Sequence, residues 1–271
     1  MVGRGAARAY CTTLDGVVCV AADGAEPWRS VIEPERTHAR GHRPGCGLSA
    51  DGRRLWLYRP DAMAGRGCHD HWTVLDAGTG ARPAPGGLPT VGHGGEHFAH
   101  PDGEMLLCVG EGQDGIAVFR GTVADGVLRP VPLPWTDRCL IALSPDGSPF
   151  LTVDHGQTDF AVHAHPGGEV VRSATVDDFG HDGERWEAVV EWSGGHLDRD
   201  TLAVVLYGED AETGREWFRS HRADARTGRD LDAFDSGARD CYDLCPLGDG
   251  SRPTTDESGH PVRGFPPAEP D

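Results

Sequence analysis

A turn built on Asp-Gly, or in one case on Asp-x-Asp, recurs six times along the chain. It begins at Asp15, Asp51, Asp102, Asp146, Asp198 and Asp249, with steps of 36, 51, 44, 52 and 51 residues. A period of about 40 to 50 residues constrains a fold more than any isolated residue. Each period has to be one supersecondary unit whose hydrophobic faces are buried by its neighbours in the series.

The unit from Gly92 to Leu133 shows the plan. Glu96 to Ala99 leads into the turn His100-Pro101-Asp102-Gly103, followed by the apolar run Met105 to Val109, a Gly-rich turn, Ile116 to Phe119, and Val127 to Val131. Short β-branched and aromatic runs separated by Gly, Pro and Asp read as four strands joined by three turns. The next unit repeats the order with Cys139 to Leu143, Ser144-Pro145-Asp146-Gly147, Phe150 to Val153, Phe160 to Val162 and Val170-Val171. An earlier unit carries Leu55 to Tyr58 and Trp72 to Asp76, and a later one Leu202 to Tyr207 and Trp217-Phe218.

Gly-His pairs at Gly41-His42, Gly92-His93 and Gly180-His181 precede strands. Asp-Ala-x-Thr-Gly turns start at Asp76, Asp210 and Asp224. With the Ser/His-Pro-Asp-Gly turns, these features resemble the tryptophan-aspartate (WD) repeat β-propellers and their divergent bacterial relatives over residues 40 to 265. The Trp-Asp dipeptide itself is absent; Leu75-Asp76, Phe119-Arg120 and Ala164-His165 stand where the family would place it.

The resemblance implies an all-β propeller of four-stranded antiparallel blades. The expected organisation is a single domain over 1–265 with a flexible, Pro-rich acidic tail at 266–271. Five or six blades follow if the chain ends complete one between them, and part of a seven-bladed ring is the alternative. The first unit lacks a clear outer strand, and the last, Cys241 to Phe265, reads as about three strands.

The chain carries 43 acidic against 25 basic residues, a formal net charge of -18. A surface of that sign repels phosphate backbones and anionic headgroups, so nucleic acid and membrane are not expected partners. All the basic residues are Arg, because the chain has no Lys, and it has no Asn either. Schiff-base chemistry, a phosphate-binding loop of the Gly-Lys-Ser/Thr kind and a catalytic Asn are thereby excluded. The run Val17 to Ala22 is too short for a signal-peptide core or a membrane span, and the expected location is cytoplasmic. The eight Cys residues include no Cys-x-x-Cys pair, and several fall inside apolar runs, so buried thiols are the expectation.

Gly110-Glu111-Gly112-Gln113-Asp114-Gly115 has the spacing of a dinucleotide-binding loop. A second strand follows it, and without a helix N-terminus nothing holds a pyrophosphate, so it reads as a hairpin turn. His93-x-x-Glu96-His97 has the spacing of an inverted zinc-protease motif, which needs a helix, whereas this segment enters a strand. The resemblance implies that His42, His93 and His181 are scaffold residues bonded within their blades.

His69-Asp70-His71 lies after the long loop Arg59 to Cys68. On an extended backbone residues two apart point the same way, so the two imidazoles can face one metal. His163-Ala164-His165 has the same spacing, but the resemblance places it at the opposite end of its blade. Loops at one end would carry His38, His42, His69, His71, His93, His155, His181 and His260, with Asp70, Asp154, Asp182 and Asp256 beside them.

Two functional readings stay open. The first is a cytosolic scaffold whose loops on one face bind a protein or peptide partner of basic character, without a cofactor. The second is a propeller enzyme, a metal-assisted hydrolase, lyase or isomerase. In it His69, His71 and His93 hold a divalent metal, and Asp154, His155 and His181 supply acid-base chemistry.

Overall fold

The computed structural model describes residues 8–14, 16–31, 44–81, 84–135, 137–181, 186–210 and 212–265. The turn at Asp15, His38, His42, Asp182 and the segment 266–271 lie outside them.

The chain is all-β and divides into two compact units, Met1–Asp137 and Arg138–Asp271. The first unit holds three sheets. These are β1 (Arg8–Thr13), β2 (Gly16–Ala21) and β3 (Trp28–Val31); β4 (Gly45–Leu48), β5 (Arg54–Arg59), β6 (Asp70–Asp76) and β7 (Ala84–Leu88); and β8 (Gly94–Ala99), β9 (Met105–Gly110), β10 (Ile116–Ala124) and β11 (Val127–Pro132). The second unit holds β12 (Arg138–Leu143), β13 (Pro149–Asp154), β14 (Asp159–Ala164) and β15 (Val170–Thr175); β16 (Trp186–His196), β17 (Thr201–Asp210), β18 (Glu216–Asp224) and β19 (Asp230–Phe234); and the pair β20 (Arg252–Thr255) and β21 (Pro261–Gly264). Within each sheet every strand pairs antiparallel with the next in sequence. The final unit has two strands rather than three, because Cys241 to Gly250 stays irregular apart from a turn at its start and a bend at its end.

The recurring Asp stands just before the second strand of a sheet, or before β20 in the last one, and closes its turn by a common chemistry. The Asp51 carboxylate accepts from the Arg53 N–H at 3.0 Å and the Ser49 hydroxyl at 2.6 Å. Asp146 accepts from the Ser148 N–H at 3.0 Å and the Ser144 hydroxyl at 2.7 Å. Asp102, Asp198 and Asp249 each take the N–H two residues on. These bonds favour the ionised carboxylate and hold Asp51, Asp146 and Asp249 below the usual Asp range. Gly52 at φ 72° supplies the left-handed backbone that the turn needs.

Strand β5 shows why the sheets stack. Side chains alternate across a strand, and here both sets are buried. Leu55 and Leu57 pack with Tyr10, Val17 and Cys19 of the β1–β3 sheet. Trp56 and Tyr58 pack with Met105, Leu107, Val109 and Phe119 of the β8–β11 sheet. Trp56 and Trp72 are fully buried, with ring centroids 5.0 Å apart. In the second unit Leu202, Val204 and Leu206 of β17 meet Leu151, Val153, Phe160 and Val162 of the β12–β15 sheet.

The Gly110 to Gly115 loop is a hairpin turn containing a short 3-10 segment, Gly112–Asp114, and leads directly into β10. The expectation of buried thiols holds for Cys19 and Cys108; Cys11, Cys68 and Cys245 are exposed.

Two glycines separate backbone strain from crowding. A Cβ at Gly52 or at Gly94 meets nothing within 4 Å, but Gly52 sits at positive φ. Gly52→Ala is therefore expected to lower the unfolding free energy by about 1 kcal/mol. Gly94→Ala should stay within about 0.5 kcal/mol of the parent. Urea unfolding of the two variants checks the difference.

Candidate functional site

The long β5–β6 loop is organised by two buried carboxylates. Asp61, 1% exposed, receives Arg59 Nη2 at 2.6 Å, Arg66 Nε at 2.7 Å and His71 Nδ1 at 2.9 Å. Asp70, at the start of β6, is fully buried. It accepts from the Tyr58 hydroxyl at 2.7 Å, the Thr90 hydroxyl at 2.8 Å, the Gly92 N–H at 2.7 Å and the Ala62 N–H at 3.2 Å. Burial, followed by the bond and charge of Asp70, pushes the Tyr58 phenol far up, so it remains a donor. Asp70 thus ties the β5–β6 loop to the β7–β8 segment.

The proposed metal ligands lie at this end of their sheets. His69 and His71 are exposed, with His71 Nδ1 held by Asp61. His93 is exposed in the β7–β8 segment, its N–H bonded to Gly110 O and its ring beside Gly112. Ligand atoms of the three do not gather within 4.8 Å of one another. His97, the other His of that motif, enters the core instead. Its Nε2 accepts from Trp72 Nε1 at 3.1 Å, and burial pulls its pKa down to about 3.

The three residues given acid-base roles are placed in the second unit. The Asp154 carboxylate is occupied by the backbone of its own loop, accepting from the N–H groups of Gly156 at 3.0 Å, Thr158 at 2.6 Å and Asp159 at 2.9 Å. His155 stacks on Trp192, with centroids 5.8 Å apart and planes at 11°. His181 is buried, stacks on Trp217 at 4.8 Å and meets His221 edge-on at 6.0 Å. Burial first, then Arg219 and His221, hold its pKa below the ordinary His value. Ligand atoms of Asp154, His155 and His181 do not gather within 4.8 Å. His163 is internal, 2.8 Å from Thr152 Oγ1 and 2.8 Å from Gly168 O.

What the structure does gather, and the sequence reading missed, is a set around Glu191. This carboxylate is 4% exposed, and its Oε1 accepts from Gln157 Nε2 at 2.8 Å and from the Trp192 N–H at 2.8 Å. Trp192 Nε1 in turn donates to Asp154 O at 3.1 Å, so the Asp154–His155 loop abuts this set. A cavity of about 590 Å³ opens beside it, lined by Gln157, Glu191, Tyr207, Glu209, Cys241 and Tyr242 among others. A strand carrying Glu191-Trp192-Ser193-Gly194-Gly195 was the available signal, since a Gly pair after an apolar run marks a bulge.

No protein-family model and no curated protein matches the chain. Solved structures do match its fold. The β-propeller domain of Cps50 (Swd1) from Myceliophteria thermophila is similar over 97% of this chain and 94% of that one, with a TM-score of 0.52 and 9% identity. The Dos1 propeller is similar over 96% and 67%, at 0.55 and 10%. Hydrazine synthase of Kuenenia stuttgartiensis is similar over 93% and 71%, at 0.56 and 13%. The fold is a β-propeller fold. At these identities the likeness concerns architecture alone.

The buried imidazoles set a pH dependence. Burial depresses His97, His163, His181 and His196 in the folded state, so below about pH 6.5 the unfolded chain binds more protons. Stability is complete above that pH and falls as the solution is acidified. His97 alone contributes a slope of about 1.4 kcal/mol per pH unit down to about pH 3. Urea midpoints at neutral and mildly acidic pH should show the drop, and His97→Gln, which keeps an acceptor for Trp72, should flatten it.

Proposed function

We propose that this chain is a divergent, bacterial WD-repeat-like propeller acting in the cytoplasm as a binding platform for a protein or peptide partner of basic character. The observation that carries the reading is the open Glu191 cavity beside the β16 bulge, walled by carboxylate, amide and phenol groups. In each compact unit the loop groups that could act as ligands or bases are already committed to the scaffold. Asp154 and Asp70 are saturated by donors, and His155 and His181 lie flat on Trp rings. A surface of this kind recognises by shape and charge, without a reacting group. The net charge of -18 favours basic partners by long-range attraction. Among structures of this fold is BBS1N, determined in complex with ARL6DN, with a TM-score of 0.55 and 10% identity. Among the described residues no helix is long and apolar enough to cross a membrane.

One observation favours the enzymatic alternative. Asp61 orients His71 through Nδ1 on a half-exposed ring, the arrangement that sharpens an imidazole as a metal ligand or base through its other nitrogen. Hydrazine synthase shows that the fold also occurs in an enzyme.

Fluorescence anisotropy with pools of basic, neutral and acidic peptides tests the platform. Basic peptides should bind and weaken as ionic strength rises, with acidic pools inert. Equal binding by all pools, or by none, would overturn it. Metal analysis of untagged protein separates the alternative: a stoichiometric divalent metal lost in a His69→Ala/His71→Ala variant supports the enzyme, and metal-free protein that binds basic peptides supports the platform.

A further inference from the structure

The cavity beside Glu191 is built by an irregularity in β16. Val190 pairs with Leu206 and Gly194 with Val204, so Glu191, Trp192 and Ser193 stand opposite Val205 alone. A bulge of this size breaks the side-chain alternation and re-aims what it carries. Gly194 and Gly195, at φ 117° and 143°, let the chain rejoin the ladder; a Cβ on Gly194 would sit 2.3 Å from Ala203 O. Opposite the bulge Gln157 is held at φ 58°, a left-handed conformation for a residue with a side chain, and its carbonyl accepts the Val190 N–H at 2.9 Å. Two local departures from regular backbone thus converge on one carboxylate.

The surroundings of that carboxylate define what fits beside it. Among the described residues its partners are all neutral: Gln157, the Trp192 N–H, the Cys241 thiol and the Tyr242 phenol. Partial desolvation first, then Glu191, raises both Tyr242 and Cys241, so both keep their protons at neutral pH. A second carboxylate, Glu209, lines the same cavity, and Tyr207 and Tyr242 supply aromatic faces. Removing a carboxylate from water without a cation is costly, and a cation entering the cavity relieves that cost. An anionic group would meet two carboxylates, and an apolar one would desolvate Glu191 further. Aromatic faces beside carboxylates hold guanidinium and ammonium groups by cation–π attraction and ion pairing.

We propose that this cavity receives a basic side chain, the guanidinium of an arginine or the ammonium of a lysine, presented by a partner peptide, with Glu191 as its counter-ion. The inference rests on the platform reading and names the group that it recognises. Glu209 adds charge at the mouth, and Tyr242, 63% exposed, lies over the entering side chain.

The test is calorimetric titration of the full chain with acetyl-Gly-Arg-Gly-amide, its lysine counterpart and its citrulline counterpart, which keeps the shape of arginine without the charge. The arginine and lysine peptides should bind and the citrulline peptide should not. Glu191→Gln should weaken binding at least about tenfold. Glu209→Gln and Tyr242→Ala, both at exposed positions, should weaken it less while leaving the thermal transition in place, and they serve if Glu191→Gln does not fold. Citrulline binding as well as arginine, or affinity unchanged in all three variants, overturns the proposal. Failure of the short peptides while long basic peptides still bind overturns this cavity's role and leaves the platform standing. Failure of both removes the two readings together.

Discussion

The structure depends on sheets whose two faces are both apolar. In β5 the Leu55 and Leu57 side chains point one way and Trp56 and Tyr58 the other, and each set needs a neighbouring sheet to leave water. Burying a side chain of this size contributes about 1.5 to 3 kcal/mol, so a sheet standing alone would forfeit most of its stabilisation on one side. Stacking answers the requirement in both compact units. It confines freedom to the sheet ends, where backbone groups must be satisfied locally and where Asp51, Asp146, Asp154 and Asp198 do so.

Much of this architecture was legible in the residues. The strands of β8 to β15 fall on the apolar runs between turns, because each run is bounded by Gly, Pro or Asp with a specific backbone role. The legibility ended where a segment broke the alternation. Trp186 to His196 forms the longest strand of the second unit, yet its Glu191-Trp192-Ser193 bulge and Gly pair lack the alternation that marks a strand in sequence. The same interruption hid the cavity. The final segment misled in the opposite sense, since Cys241 to Gly250 has strand-like composition but forms no strand.

The imidazoles show why the types of residues at one sheet end do not define a site. His163 is buried and His97 largely so, whereas His69, His71 and His93 are exposed, although all belong to short polar or mixed motifs. What distinguishes them is the partner, and partners such as Asp61 for His71 or Trp72 for His97 lie 10 and 25 positions away. Charge followed the same rule. Asp70 and Asp154 looked like open ligands in the sequence, and their lone pairs are filled, those of Asp70 by distant hydroxyl and N–H donors and those of Asp154 by the N–H groups of its own loop.

The Asp-Gly turns settle their own hydrogen bonds within a few residues and borrow nothing from the opposite end of the sheets. Substitutions that change the side chains facing the cavity, such as those at Glu209 and Tyr242, therefore leave the hairpin turns as they are. A lineage built on this plan is free to change the chemistry of what it grips while its hairpins stay as they are.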